Sequence, residues 1–126
     1  MTIRRISIIS IPVSDQQRAL AYYRDVLGMQ VVRDDEFMHA NARWIELRPH
    51  GAETNITLTT WFENLKPGGV TGTVLTTDNL DGDLATLIAR GFKSSPIDSA
   101  PWGRYVTFSD PDGNGWVLQQ NVPGMD

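Results

Sequence analysis

Apolar positions in this chain switch between strand-like and helix-like spacing, and the switch runs through its order twice. Ile3–Pro12 is rich in isoleucine and reads as a buried strand. Ser14 offers an N-cap, and Gln17, three residues on, completes a capping box. From Asp15 to Leu27 the residues Ala19, Leu20, Tyr23, Val26 and Leu27 recur at helical spacing, and Gly28 suits the helix end. Met29–Arg33 reads as a strand, Asp34–Asn41 as a polar loop, Arg43–Arg48 as a strand, Pro49–Glu53 as a turn and Asn55–Trp61 as a strand. Phe62–Gly69 holds Pro67, Gly68 and Gly69 and reads as a linker. The order then returns. Val70–Thr77 is a strand, and Asn79 caps a helix through Arg90 with Leu80, Leu84, Leu87 and Ile88 on one face. Gly91 ends that helix, Phe92–Ser95 is a short strand, Ser99–Gly103 a loop, and Arg104–Ser109 with Gly115–Gln120 the last hairpin. The tail, Asn121–Asp126, is expected to fray.

The repeat is visible in the residues themselves. Ala-Arg-Trp-Ile-Glu-Leu (Ala42–Leu47) answers to Gly-Arg-Tyr-Val-Thr-Phe (Gly103–Phe108). Each half is strand–helix–strand–strand–strand, and neither half alone covers both its helix and its sheet edge. The expectation is one α+β domain over residues 1–126, with a first βαβββ module at about 3–61, a linker at 62–69 and a second module at about 70–120. The two join in one curved mixed sheet, a cup with the helices on its outer face. The concave side is the natural ligand site.

Composition narrows the function classes. At 126 residues, 40% hydrophobic and 21% charged, the chain is globular. A net charge of −4 and the lack of a clustered basic run argue against nucleic acid as a partner. There is no cysteine, which excludes disulfides, thiolate metal sites and cysteine nucleophiles. Ser7, Ser10 and Pro12 interrupt the first apolar stretch, so no signal peptide or membrane span is expected and the cytoplasm is the default location.

Val13-Ser14-Asp15, then Tyr22-Tyr23, then Val26-Leu27-Gly28-Met29, and finally Asp110-Pro111-Asp112-Gly113, give the chain a resemblance to the vicinal oxygen chelate superfamily over roughly Ile3–Gln120. That superfamily includes glyoxalase I, the bleomycin-resistance proteins, fosfomycin-resistance enzymes and extradiol dioxygenases. The resemblance implies the fold, and commonly a homodimer whose cups lie across the interface. An unpaired sheet edge in each half is a physical motive for that dimer. Metal-dependent members take ligands, usually His, Gln or Glu, from the first and last strands of each half. The matching positions here are Ile8, Thr57, Gly72 and Val117. Three carry no side-chain donor and one hydroxyl does not replace a cation's water, so the resemblance leads to a metal-free member without a cofactor.

Strand alternation gives the lining. Ile45, Leu47, Ile56, Leu58, Val106 and Phe108 turn to the helices, as does Trp116. Trp44, Glu46, Arg48, Thr57, Thr59, Trp61, Tyr105 and Thr107 turn to the cup, with Ile8, Ser10, Gly72, Val74, Val117 and Gln119 completing it and Trp102 beside it. Such a surface suits an aromatic or amphiphilic organic molecule held by stacking and a few hydrogen bonds. Trp44, Trp61, Trp102 and Tyr105 also have a reading as core or dimer-interface aromatics. Asp110-Pro111-Asp112-Gly113 reads as a hairpin turn, its acidity notwithstanding.

Two function classes follow. One is a small-molecule binding protein. The other is a metal-independent isomerase, lyase or cyclase with Glu46 or His39 as acid–base, against which stands Glu46 as a structural ion pair with Arg43, Arg48 or Arg104. A metal-dependent lyase or dioxygenase is disfavoured by the four ligand positions.

Overall fold

The computed structural model describes residues 1–124, without the side chain of Met38. Its elements run β1 (Ile8–Pro12), α1 (Gln16–Ala21), β2 (Gln30–Phe37), β3 (Ala42–Arg48), β4 (Asn55–Thr59), β5 (Thr73–Thr76), α2 (Leu80–Ala89), β6 (Asp98–Ala100), β7 (Gly103–Ser109) and β8 (Gly115–Asn121). The class is α+β and the βαβββ order occurs twice. Each module builds a four-stranded sheet with the same order, β1-β4-β3-β2 and β5-β8-β7-β6. The β1–β4 and β5–β8 pairs are parallel and the others antiparallel. The repeat extends to single rungs. Ser10, Thr57 and Glu46 share one rung of the first sheet, and Val74, Val117 and Thr107 share its counterpart in the second.

One apolar core serves both modules. Ile11, Leu20, Tyr23, Ile45, Leu47 and Leu58 pack in the same cluster as Leu80, Leu84, Val106, Phe108, Trp116 and Leu118. Ile45, Leu47, Leu58, Val106, Phe108 and Trp116 are the inward positions that strand alternation assigns, and Leu20, Tyr23, Leu80 and Leu84 come from the apolar faces of the helices. The seam between the modules is polar at its centre. Tyr23 donates its hydroxyl to Asp110 Oδ2 at 2.6 Å and accepts from Trp116 Nε1 at 3.0 Å. Asn114 Nδ2 donates to Asp110 Oδ2 and to Pro12 O, both at 2.8 Å. Asp110 Oδ1 also accepts from the backbone N–H groups of Asp112 and Asn114. The Asp-Pro-Asp-Gly string is thus a hairpin turn, with its first aspartate facing the other module.

Several element boundaries differ from those read along the sequence, each for a physical reason. Regular pairing begins at Ile8 rather than Ile3, and Ile3 and Ile6 are 82% and 65% exposed. The Ser14–Gln17 capping box does not form. Asp15 caps α1 by accepting from Arg18 N at 3.1 Å, while the Ser14 hydroxyl donates to Asp112 and Gln17 accepts from Arg43. After Ala21 the helix widens, with a Leu27 N to Tyr22 O bond of 3.1 Å across five residues. The polar run expected as a loop is instead the outer part of β2, paired with β3 as far as Phe37 against Ala42. Charged residues at an exposed sheet edge are the usual device against further pairing. Phe92–Ser95 is not a strand. Ser95 N donates to Thr107 O and Ser95 Oγ accepts from Thr107 N, and Pro96, with no N–H, delays regular pairing to β6, where a loop was expected. The supposed frayed tail holds the end of β8 at Asn121, and Val122 N donates to Trp102 O at 2.7 Å. Met125 and Asp126 lie outside the described residues.

Candidate functional site

The face expected as a cup carries two groups of side chains, one on each module. On the first module Trp44 from β3 and Trp61, just past β4, stack with centroids 6.1 Å apart and planes 24° from parallel. Phe37, at the end of β2, meets both edge-on, at 5.4 Å from Trp44 and 4.8 Å from Trp61. Phe62 lies 6.0 Å beyond Trp61, and His39 lies 5.9 Å from Phe37 on an exposed turn. Four aromatic residues from three parts of the chain therefore form one contiguous apolar surface. Alternation along the strands finds Trp44 and Trp61. Phe37 was missed because it lies inside Asp34–Asn41, a polar stretch that reads as loop. Phe62 was missed because it opens a Pro-Gly linker.

Two residues along β3 from Trp44, on the same face, Glu46 is buried. Its Oε1 accepts from Trp44 Nε1 at 3.0 Å, and its Oε2 accepts from Asn55 Nδ2. Arg48 Nε donates to Asn55 Oδ1 at 2.8 Å. None of the three arginines considered as ion-pair partners is bonded to Glu46 directly. Arg43 pairs with Asp34 at 2.7 Å, Arg104 with Asp81 at 2.8 Å, and Arg48 reaches it only through Asn55. Thr57 and Thr59 are 2% and 1% exposed. Thr57 Oγ1 donates to Ile45 O at 2.9 Å, and the buried Thr59 hydroxyl has no partner among the described residues. Ser10 is half-buried on the same rung as Thr57.

The second module's face is more open. Trp102 and Tyr105 stack at 5.3 Å with planes 28° apart, and the Tyr105 hydroxyl donates to Asp98 at 3.2 Å. That hydrogen bond and the charge of Asp98 raise the Tyr105 hydroxyl above its ordinary pKa. Gln119 Nε2 donates to Asn121 Oδ1 at 2.8 Å. Thr107 is exposed and Val74 is 47% exposed. A cleft of about 450 Å³ opens here beside Gly72, Lys93, Ser95, Thr107 and Val117.

The four positions that the family resemblance assigns to metal ligands carry side chains that do not fit a divalent cation. Ile8 is an exposed alkyl group, Thr57 has its hydroxyl committed to a carbonyl, Gly72 has no side chain and Val117 has no donor. Among the described residues no three His, Cys, Asp or Glu side chains converge as a metal site. No helix among them is long and apolar enough to cross a membrane.

Comparison with known proteins places this geometry in a family. The model of the Glyoxalase/Bleomycin resistance protein/Dioxygenase superfamily matches residues 5–118. The crystal structure of TnmS3, an antibiotic binding protein from Streptomyces sp. CB03234, is similar with a TM-score of 0.90 and 38% identity, over 97% of this chain and 99% of that one. A superfamily member from Sphaerobacter thermophilus DSM 20745 gives a TM-score of 0.85 and 36% identity, over 96% of this chain and all of its own, at 100%. Protein YetH of Bacillus subtilis strain 168 is 27% identical over 94% of this chain and 99% of its own length. By its sequence across both modules and by its fold, the chain belongs to the Glyoxalase/Bleomycin resistance protein/Dioxygenase superfamily.

Proposed function

We propose that the chain is a small-molecule binding protein that holds an aromatic or amphiphilic organic molecule in a metal-free cup, as a homodimer in the cytoplasm. The observation that carries this reading is the stacked Trp44–Trp61 pair with Phe37 against it, on the face expected from strand alternation to line the cup. An aromatic surface of this kind binds chiefly by contact area and stacking. The similarity to an antibiotic binding protein supports a natural product of that kind as occupant. Glu46 supports binding over acid–base chemistry, because fixed donors engage both of its oxygens. His39 is exposed and touches only the rim of the aromatic group. The dimer is supported by β1 and β5, each paired on one side only and each carrying exposed apolar residues, Ile8 and Val74 among them.

The test is native mass spectrometry of protein purified without denaturation from cells fed an extract rich in aromatic natural products. A retained organic mass is expected on the wild type. Trp44→Ala or Trp61→Ala should weaken that binding by about 1–3 kcal/mol in calorimetry with the released compound. Retention undiminished in both variants would move the ligand away from this face.

A further inference from the structure

The hydrogen bonds beside the aromatic surface have a direction, and Glu46 stands where donors arrive from both sides. At one end stands the Arg48 guanidinium, which only donates; at the other stands the Trp44 indole, which also only donates. Between them Asn55 accepts from Arg48 through Oδ1 and donates onward through Nδ2. An amide relay of this kind passes a donor along and leaves the polarity unchanged. The remaining position receives a donor from each side, one on each oxygen of Glu46, and a carboxylate, with two acceptor oxygens, suits it where an amide does not. With both oxygens engaged, the buried side chain is spared the cost of an unsatisfied polar group.

We propose that Glu46, Asn55 and Arg48 are positioning residues for Trp44. Together they fix the rotation of the indole, so that Trp44 meets Trp61 nearly parallel and offers a set face to a ligand. An aromatic wall already held in its working orientation loses less freedom on binding. That benefit rests on the binding function proposed above, whereas the orientation of the ring is measured with no ligand present. The same relay gives Glu46 a reason to be a glutamate that involves no proton transfer.

The experiment moves the carboxylate one place along the relay. Glu46→Gln preserves shape but leaves two donors facing each other at one junction, whichever way the amides turn. Asn55→Asp sets two carboxylates face to face. In the double variant Glu46→Gln/Asn55→Asp the new amide accepts from Trp44 and donates to the new carboxylate, which accepts from Arg48 as well. Every group is satisfied again, with the charge unchanged.

The readout is the indole region of a ¹H–¹⁵N correlation spectrum, where the four tryptophans give four signals and Trp44→Phe identifies that of Trp44. Each single variant is expected to shift and broaden the Trp44 signal and to reduce the near-ultraviolet circular dichroism of the Trp44–Trp61 pair. The double variant is expected to restore both. A Trp44 signal unmoved by Glu46→Gln overturns the proposal. So does a double variant that stays displaced, or that fails to fold when each single variant folds. Titration with 2-naphthol, a neutral bicyclic aromatic, supplies the binding arm by tryptophan quenching. The single variants should lose roughly tenfold in affinity and the double variant should regain it. Failure of the wild type to bind 2-naphthol would count against the binding function for such ligands, and the indole spectrum by itself would then decide for or against the relay.

Discussion

Tyr23 shows how much one side chain carries across the seam. Its ring is buried in the shared core and its hydroxyl stands between Asp110 and Trp116. Burial first, then the hydrogen bond and charge of Asp110, raise its pKa far above that of a free phenol. Burial and the same carboxylate raise Tyr22 also. A folded-state pKa raised in this way contributes stability that is complete below the unfolded value, near 10.0, and is lost as pH rises beyond it. Urea denaturation between pH 9 and 11 should therefore show stability falling above pH 10, with each tyrosine adding up to about 1.4 kcal/mol per pH unit. Tyr23→Phe should make that decline shallower, and should cost about 1–3 kcal/mol at neutral pH by taking a donor from buried Asp110. At this scale the sequence was partly legible. Trp116, Ile45 and Leu47 face inward as alternation required, because a period of two needs only a correct strand. Asn55 drew no attention, because its importance depends on which residue lies opposite it and which donors remain, and neither is written in a local pattern.

At the scale of elements, the least legible one was the seam between β3 and β4. These strands pair directly only at Glu46–Thr57 and Leu47–Ile56. Beyond that point Gln16, in the first turn of α1, takes over. Its Nε2 donates to Arg43 O at 2.7 Å and to Leu58 O at 2.8 Å, and its Oε1 accepts from Arg43 N at 3.0 Å. A helix side chain thus completes a sheet where the strands splay, a role that helical periodicity does not reveal. Gln16→Ala should lower stability by about 1–3 kcal/mol, and Gln16→Glu by more, because a carboxylate would face two carbonyl oxygens. Thermal denaturation of the two variants decides between this bridging role and a surface one, for which both would be neutral. The helices themselves were legible through their apolar spacing and through Gly28 and Gly91, whose φ values of 73° and 96° end them. Strand ends were less so, since β2 owes its outer half to pairing with β3 and not to its own polar residues.

The whole molecule is a duplication whose two faces have diverged. The corresponding rungs Ser10–Thr57–Glu46 and Val74–Val117–Thr107 keep the topology and share little chemistry. Light scattering at micromolar concentration is expected to give twice the mass of the 14.0 kDa chain, and a chelator is expected to leave the melting temperature unchanged. A monomer mass would remove the reason for the exposed edges, and a chelator-sensitive protein would overturn the metal-free cup. The seam has a further consequence, for the order in which the chain can be made. Tyr23 and Pro12 wait for partners at Asp110, Asn114 and Trp116, which lie 87 to 102 residues downstream. During synthesis the first module leaves the ribosome with the Tyr23 hydroxyl and the Pro12 carbonyl lacking these partners, and the last hairpin to appear is the one that supplies them. The halves share one plan, yet these hydrogen bonds of the first are completed only by residues of the second, so this step waits until β7, β8 and the turn between them have been made.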